Sequence, residues 1–187
     1  MHAIPTRLGG PIVIEPVVHG DERGFFLESY RRNAFAELKV ADDFVQHNHS
    51  RSSRGVVRGM HFQPGMAKLV LCVRGAIIDV VVDIRRGSPT FGEWEAFELT
   101  DDNHHQVYCP NGFAHGFCVV SDIADVLYAC STYYDPQGEG GFRYDDPDVG
   151  IEWPGLSLTP SARDSSAPTL SAISASLPFE FAELRGP

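Results

Sequence analysis

The stretch RGMHFQPGMAK, residues 58–68, sets Arg58, His61, Gln63 and Lys68 among residues that otherwise read as a buried strand. Cations and an imidazole are costly to bury without partners, so this pattern points to a polar pocket rather than a dry core. Histidine titrates near neutrality and can accept a proton in a reaction step. A lysine beside it can stabilise the oxyanion that proton removal leaves. Two further groups complete such a site: a carboxylate that fixes the imidazole tautomer, and an acid that returns the proton from the other side. Asp164, in SARDSSAP, and Tyr128, in VLYACS, are the candidates. A satisfied core histidine is the plainer reading of His61 taken alone. Other clusters of polar groups weigh against it: His115 in PNGFAHGF, Arg163 with Asp164, Arg23 and Glu28 in ERGFFLESY, and Gln46 and Asn48, which alternate onto one face of QHNHS.

Spacing alone does not bring Arg58 and His61 together. In a regular strand residues 58, 60 and 62 point one way and 59, 61 and 63 the other. Gly59 offers a place for a bulge that would re-aim one of them.

The eight histidines invite a metal. His47 and His49 could project from one strand face, whereas His104 and His105, being neighbours, diverge. PNGFAH matches the second motif of the cupin superfamily, Pro-x-Gly-x-x-His. The first cupin motif requires His-x-His followed by Glu, and the chain reads HFQ there, with Gln63 in place of a ligand. Glutamine is a poor transition-metal donor, so the expectation is a cupin barrel without a metal. No Gly-x-Ser-x-Gly elbow is present, and no cysteine lies in an activating setting. Acid–base chemistry remains.

The elements that must position these groups are mostly strands. The chain has 187 residues, 18 glycines and 13 prolines, enough for one domain with a sizeable core and many turns. PIVIEPVV (11–18), FVQHNHS (44–50), KLVLCV, AIIDVVVDI, GEWEAFEL (92–99), HQVYCP, AHGFCVVS and ADVLYACSTYY read as short strands. KLVLCV and AIIDVVVDI, joined at Arg74-Gly75, read as a hairpin. In the second run Ile78, Val80, Val82 and Ile84 share one face, and Asp79 and Asp83 share the other with Ile77 and Val81. A helix is expected over 33–38, capped by Asn33, with Phe35 and Leu38 on one side. Such a row of strands makes a sandwich or barrel. From about residue 135 turns dominate, and a Ser/Ala-rich tail follows, with a short helix expected near FEFAEL.

The net charge of −10 argues against nucleic-acid binding. An anionic ligand is still allowed if a local group of cations receives it. No apolar run reaches membrane-helix length, and the first residues lack a basic segment followed by an apolar core, so a cytoplasmic protein is expected. The four cysteines form no Cys-x-x-Cys pair and are expected to be reduced.

The blocks GDERGFFLESY, FVQHNHS, VVRGMHFQ, AKLV, VDIRRGSPTFGEW, PNGFAHGF, VLYACSTYYDPQ, GIEWP and SARDSSAP occur in that order. Together they resemble the dTDP-4-dehydrorhamnose 3,5-epimerases, the RmlC-like cupins, over about residues 5–170. The resemblance implies an all-β, cupin-type double-stranded β-helix, a jelly-roll barrel with a few short helices. It would be a single domain over 1–187 with a C-terminal tail from about residue 170. It implies His61 as base, Asp164 as its partner, Tyr128 as the opposing acid and Lys68 beside the sugar carbonyl. Arg58 and His115 would line the sugar site, Tyr134 would border it, and Arg23, Glu28, Gln46 and Asn48 would hold the nucleotide. The implied reaction is double epimerisation of a dTDP-4-keto-6-deoxy sugar through an enolate, without cofactor or metal, in a homodimer that exchanges N-terminal strands. The alternatives are a monofunctional 3- or 5-epimerase and a non-catalytic nucleotide-sugar-binding cupin. One departure from the family prototype is the link PGMA between Gln63 and Lys68, which is shorter and borders the sugar pocket.

Overall fold

Short β-branched and aromatic runs, broken by glycine turns, build two facing antiparallel sheets in a computed structural model that describes residues 1–182. One sheet has the spatial order β1 (His2–Pro5), β2 (Ile12–Glu15), β10 (Gln106–Cys109), β7 (Lys68–Arg74), β12 (Ile123–Cys130) and β5 (Gln46–Ser53). The other runs β13 (Gly140–Gly141), β6 (Val57–Phe62), β11 (Phe113–Val119), β8 (Ala76–Asp83) and β9 (Trp94–Thr100). Strands β3 (Val18–Asp21) and β4 (Gly24–Leu27) form a separate hairpin. From β5 onward the chain changes sheet at almost every connection, which is the jelly-roll pattern expected of a cupin. The two sheets face one another without closing into one continuous ladder.

The expected hairpin at Arg74-Gly75 is not formed. Strand β7 pairs with β10 and β12, and β8 pairs with β11 and β9. The turn instead carries the chain around a corner between sheets. Gly75 has φ +76°, and a Cβ there would lie 2.1 Å from the carbonyl oxygen of Ile123. Local turn chemistry suited a hairpin, but strands distant in sequence supplied the partners.

The alternation within β8 has a clear meaning. Ile77 and Val81 enter the core between the sheets, with Val70, Cys72, Leu99, Phe117 and Val126. Val80, Val82 and Ile84 point the other way, against Met60, Phe142, Leu170, Leu177 and Phe179. The C-terminal segment therefore covers the outer face of the five-stranded sheet. A short helix α3 (Leu170–Ile173) and a 3-10 turn, Ser174–Ser176, lead into buried Leu177 and Phe179. The helix expected near FEFAEL does not form over residues 179–182, where Glu180 bridges to Arg86; residues 183 and 184 lie outside the described part. A third cluster covers the outer face of the six-stranded sheet. There Phe35 of helix α1 (Arg32–Glu37), with Val40, packs on Ile14, Leu69, Tyr108 and Ala129. The helix starts one residue earlier than expected and is entered from Arg31 without a side-chain cap, so Asn33 does not serve as one. All four cysteines are buried and unpaired. Among the described residues no helix is long and apolar enough to cross a membrane.

Candidate active site

The bulge foreseen at Gly59 is present. On β11, His115 pairs with His61 and Phe117 with Arg58, so two steps on one strand match three on the other. The additional residue turns side chains three apart to the same face, and Arg58 and His61 both line one cavity. Only glycine fits at the bulge. Gly59 has φ +135°, and a Cβ there would lie 2.5 Å from Cα of Gly116.

Asp164 reaches His61 by a separate route. Val56 and Thr159 form a parallel bridge, and Thr159 exchanges backbone hydrogen bonds with Gly55 and Val57. This anchors the chain just before helix α2 (Ala162–Ser165), whose cap Ser161 accepts from the Asp164 amide. The Asp164 carboxylate then lies 2.6 Å from His61 Nε2 and is 4% exposed, against 27% for the imidazole. Burial alone would raise this carboxyl. Hydrogen bonds from His61, Ser161 and the Gly59 backbone, with the His61 charge, outweigh burial and hold it below the usual carboxylate range. An ionised Asp164 only accepts, so Nε2 carries the proton and His61 Nδ1 is the basic nitrogen.

The opposite wall comes from the six-stranded sheet. Tyr128 pairs with Asn48, and Cys130 pairs with both Gln46 and Lys68, so these side chains form two rows facing the cavity. Burial raises the Tyr128 phenol, and Cys130, Glu139 and Tyr134 add to this against an opposing Arg58. Tyr128 therefore keeps its proton at neutral pH. The cavity encloses about 650 Å³. Met66, from the short PGMA link, also lines it, and that link is pinned by the Gly65 amide donating to Asn111 and the Ala67 amide donating to Ser131.

At the rim, Gln63 donates to the Tyr133 carbonyl and accepts from the Asp135 amide, while Gln46 accepts from the Tyr134 amide. Tyr134 donates through its hydroxyl to Glu139, which also accepts from Arg163 at 2.6 Å. Glu139 and Arg163 line the cavity but were not assigned to the site from sequence, although Arg163 stands next to Asp164. The signal for Glu139 was only its place before Gly140-Gly141, which pair with Phe62 and His61.

Nine of the expected residues thus converge: His61, Asp164, Tyr128, Lys68, Arg58, His115, Gln46, Asn48 and Tyr134. Arg23 and Glu28 do not line the cavity. Arg23 projects from the β3–β4 hairpin and pairs with Asp21, and Glu28 pairs with Arg31. His115 has a carboxylate of its own, Asp79, at 2.7 Å. Among the described residues no three His, Cys, Asp or Glu side chains converge as a metal cluster would.

Comparison with known proteins accords with this geometry. The family model described as dTDP-4-dehydrorhamnose 3,5-epimerase matches residues 5–172. A protein of that name from Salmonella typhimurium is 48% identical over 177 residues, 91% of this chain and 96% of its own length. The crystal structure of a dTDP-6-deoxy-D-glucose-3,5-epimerase from Legionella pneumophila in complex with dTDP-4-keto-L-rhamnose superposes with a TM-score of 0.94 at 44% identity, covering 97% of this chain and 99% of that one. A dTDP-4-dehydrorhamnose 3-epimerase from Streptomyces niveus is 45% identical over 175 residues, 89% of this chain and 83% of its own length.

Proposed function

The chain belongs to the dTDP-4-dehydrorhamnose 3,5-epimerase family, and from that premise we propose that it is an isomerase that inverts C3 and C5 of dTDP-4-dehydro-6-deoxy-D-glucose to give dTDP-4-dehydro-L-rhamnose. The 4-keto group acidifies the hydrogens on both neighbouring carbons. His61 Nδ1 takes the proton from C5, and in a second round from C3. Asp164 stabilises the imidazolium that forms. Each abstraction leaves an enolate whose oxygen gains negative charge, and Lys68 faces that charge with help from Arg58 or His115. Tyr128 then donates its hydroxyl proton to the opposite face of the carbon, which inverts the centre. Solvent protons restore Tyr128, and His61 releases the one it took.

The observation that carries this reading is the placement of base and acid on opposite sheets across one cavity, His61 with Asp164 on one side and Tyr128 with Lys68 on the other. Gln46 and Asn48 are our assignment for the nucleotide end, and Tyr134 borders the pocket. The β3–β4 hairpin exposes Phe25 and Phe26, at 62% and 68%. We assign it to a homodimer in which it crosses to the second copy and brings Arg23 and Glu28 toward that copy's nucleotide site. A cytoplasmic location agrees with four unpaired thiols.

The test is deuterium incorporation from D2O into dTDP-4-keto-6-deoxy-D-glucose, read by NMR at C3 and C5, with the product trapped by a reductase. Label at both carbons with L-lyxo product is expected. Label at C3 alone would instead give the activity named for the Streptomyces niveus relative. No label at either carbon would overturn the enzyme assignment.

A further inference from the structure

One buried carboxylate has no part in the chemistry above. Asp79, on β8, is fully buried and faces the core between the sheets, with Phe117 and Phe97 as its cross-strand partners. One oxygen, Oδ2, lies 2.7 Å from His115 Nε2, and the other, Oδ1, has no hydrogen-bond partner. A valine would fit among Ile77, Val81 and Leu99, whereas a carboxylate with a single hydrogen bond there costs stability. The packing gives no reason for Asp79, so the reason lies with His115.

His115 lines the cavity and is the cross-strand partner of His61, so two His–Asp pairs stand side by side. With Nε2 turned into the core, Nδ1 is the ring nitrogen left for the cavity. A buried pair with net negative charge is the expensive state, and a pair neutral overall is the cheaper one. The neutral pair holds two protons. One lies in the Nε2–Oδ2 hydrogen bond, on whichever side. The other has two places, Oδ1 or Nδ1. On Oδ1 it would be a buried donor with no acceptor. On Nδ1 it faces the cavity.

We propose that Asp79 is a positioning residue for the epimerisation: it clamps the His115 ring through Nε2 and keeps a hydrogen on Nδ1, which His115 donates to the C4 oxygen as enolate charge develops. This rests on the epimerase reading. Lys68 supplies a charge to that oxygen, and His115 supplies a fixed, directed donor.

Three measurements test it. In wild-type protein labelled with ¹⁵N-histidine, His115 Nδ1 is expected to be protonated; a bare Nδ1 overturns the proposal whatever the variants do. In Asp79→Val, kcat is expected to fall about 100-fold, as for loss of one oxyanion donor. KM and dTDP affinity should stay within about threefold of wild type, and the melting temperature should not fall. A kcat within about threefold of wild type overturns the proposal, as does a lowered melting temperature with lost dTDP binding, which would mark a structural residue. Asp79→Asn is expected to recover part of the rate, because its amide can donate to Nε2 and leave the hydrogen on Nδ1; a rate no better than that of Asp79→Val overturns the proposal. Failure of the epimerase reading is seen separately, as absence of turnover by the wild type.

Discussion

Replacing Asp164 by asparagine keeps the size of the side chain and removes its charge, which tests the His61 dyad at its least visible point. The wild-type carboxylate pairs with His61 Nε2 at 2.6 Å, and Ser161 and the Gly59 backbone also favour its charged form. Asparagine offers one oxygen and one amino group. If the oxygen serves the Gly59 donor, the amino group faces His61, the imidazole proton moves to Nδ1, and the base is lost. If the oxygen serves His61, the amino group meets the Gly59 donor. Either arrangement also removes the negative charge that stabilises the imidazolium formed when carbon gives up its proton. For charges roughly 4 Å apart at an effective dielectric of about 20, that attraction is about 4 kcal/mol. Solvent at the partly exposed ring reduces it to about 2–3 kcal/mol, or roughly 30- to 150-fold in rate. The assay is deuterium wash-in at C3 and C5, followed by NMR under saturating substrate. One base serves both carbons in this mechanism, so both rates should fall by the same factor while dTDP binds as before. A fall of less than about threefold would refute the dyad. Loss at one carbon only would show that a second base acts at the other.

Tyr128→Phe keeps the ring and removes the donor, so epimer formation should fall by about 100-fold or more while His61 still exchanges substrate hydrogen; equal losses in exchange and inversion, measured in the same NMR experiment, would place Tyr128 elsewhere in the reaction. Gly59→Ala forces a Cβ to within 2.5 Å of Gly116 Cα at φ +135°. It should cost at least ~2 kcal/mol and lower the melting temperature by about 4 °C or more; an unchanged melting curve would mean that the bulge tolerates a side chain. Arg51 hydrogen-bonds Asp125 and, against burial and with help from His49, lowers its carboxyl to about 2. A lowered carboxyl contributes stability that is present above the unfolded value of about 4 and is lost as pH falls through the folded one. Arg51→Met should therefore be less stable than wild type at pH 6 in urea unfolding, with the gap shrinking below about pH 4; a gap of constant size down to pH 3 would rule out this linkage.

The strands were legible because burial imposes a period, and β8 shows how far that goes: both of its faces were sorted before either had a partner. Partners were not legible. KLVLCV and AIIDVVVDI satisfied the local rules of a hairpin and were separated by sheets built from strands far along the chain. The same limit governs the site. Gly59 announced that something irregular could happen between Arg58 and His61, because glycine in a strand has few other uses. Nothing in the spacing joins His61 to Asp164, 103 residues later; the chemistry made Asp164 a candidate, the block resemblance made it the partner, and the Thr159 bridge delivers it. Asp79 was read as a beat in an alternating pattern, since a sequence does not tell a buried carboxylate from a solvated one. Arg23 and Glu28 carry the family pattern but lie on or beside an exposed hairpin, away from the cavity of their own chain, and a matching block of sequence does not tell where its side chains point.

Charge total and charge placement gave opposite signals about the ligand, and placement decides. With 25 acidic and 15 basic side chains, this chain has carboxylates to spare for its cations. Arg7, Arg32, Arg51, Arg85, Arg86 and Arg143 each close an ion pair, and so does Arg163 at the cavity rim. Among the described residues Lys39, Arg58, Lys68 and Arg74 close none, and of these Arg58 and Lys68 line the cavity; Arg58 donates only to the Ser52 hydroxyl. Both line one cavity and neither has a carboxylate within ion-pair distance, so an anion there is received by two unshared charges. The surface field is screened over about 8 Å at physiological salt. A dianionic nucleotide sugar therefore meets the acidic surface weakly and the two unpaired cations that line the cavity strongly. The same pair favours an enolate over the ketone it came from, because neither cation has a carboxylate partner to divide its field.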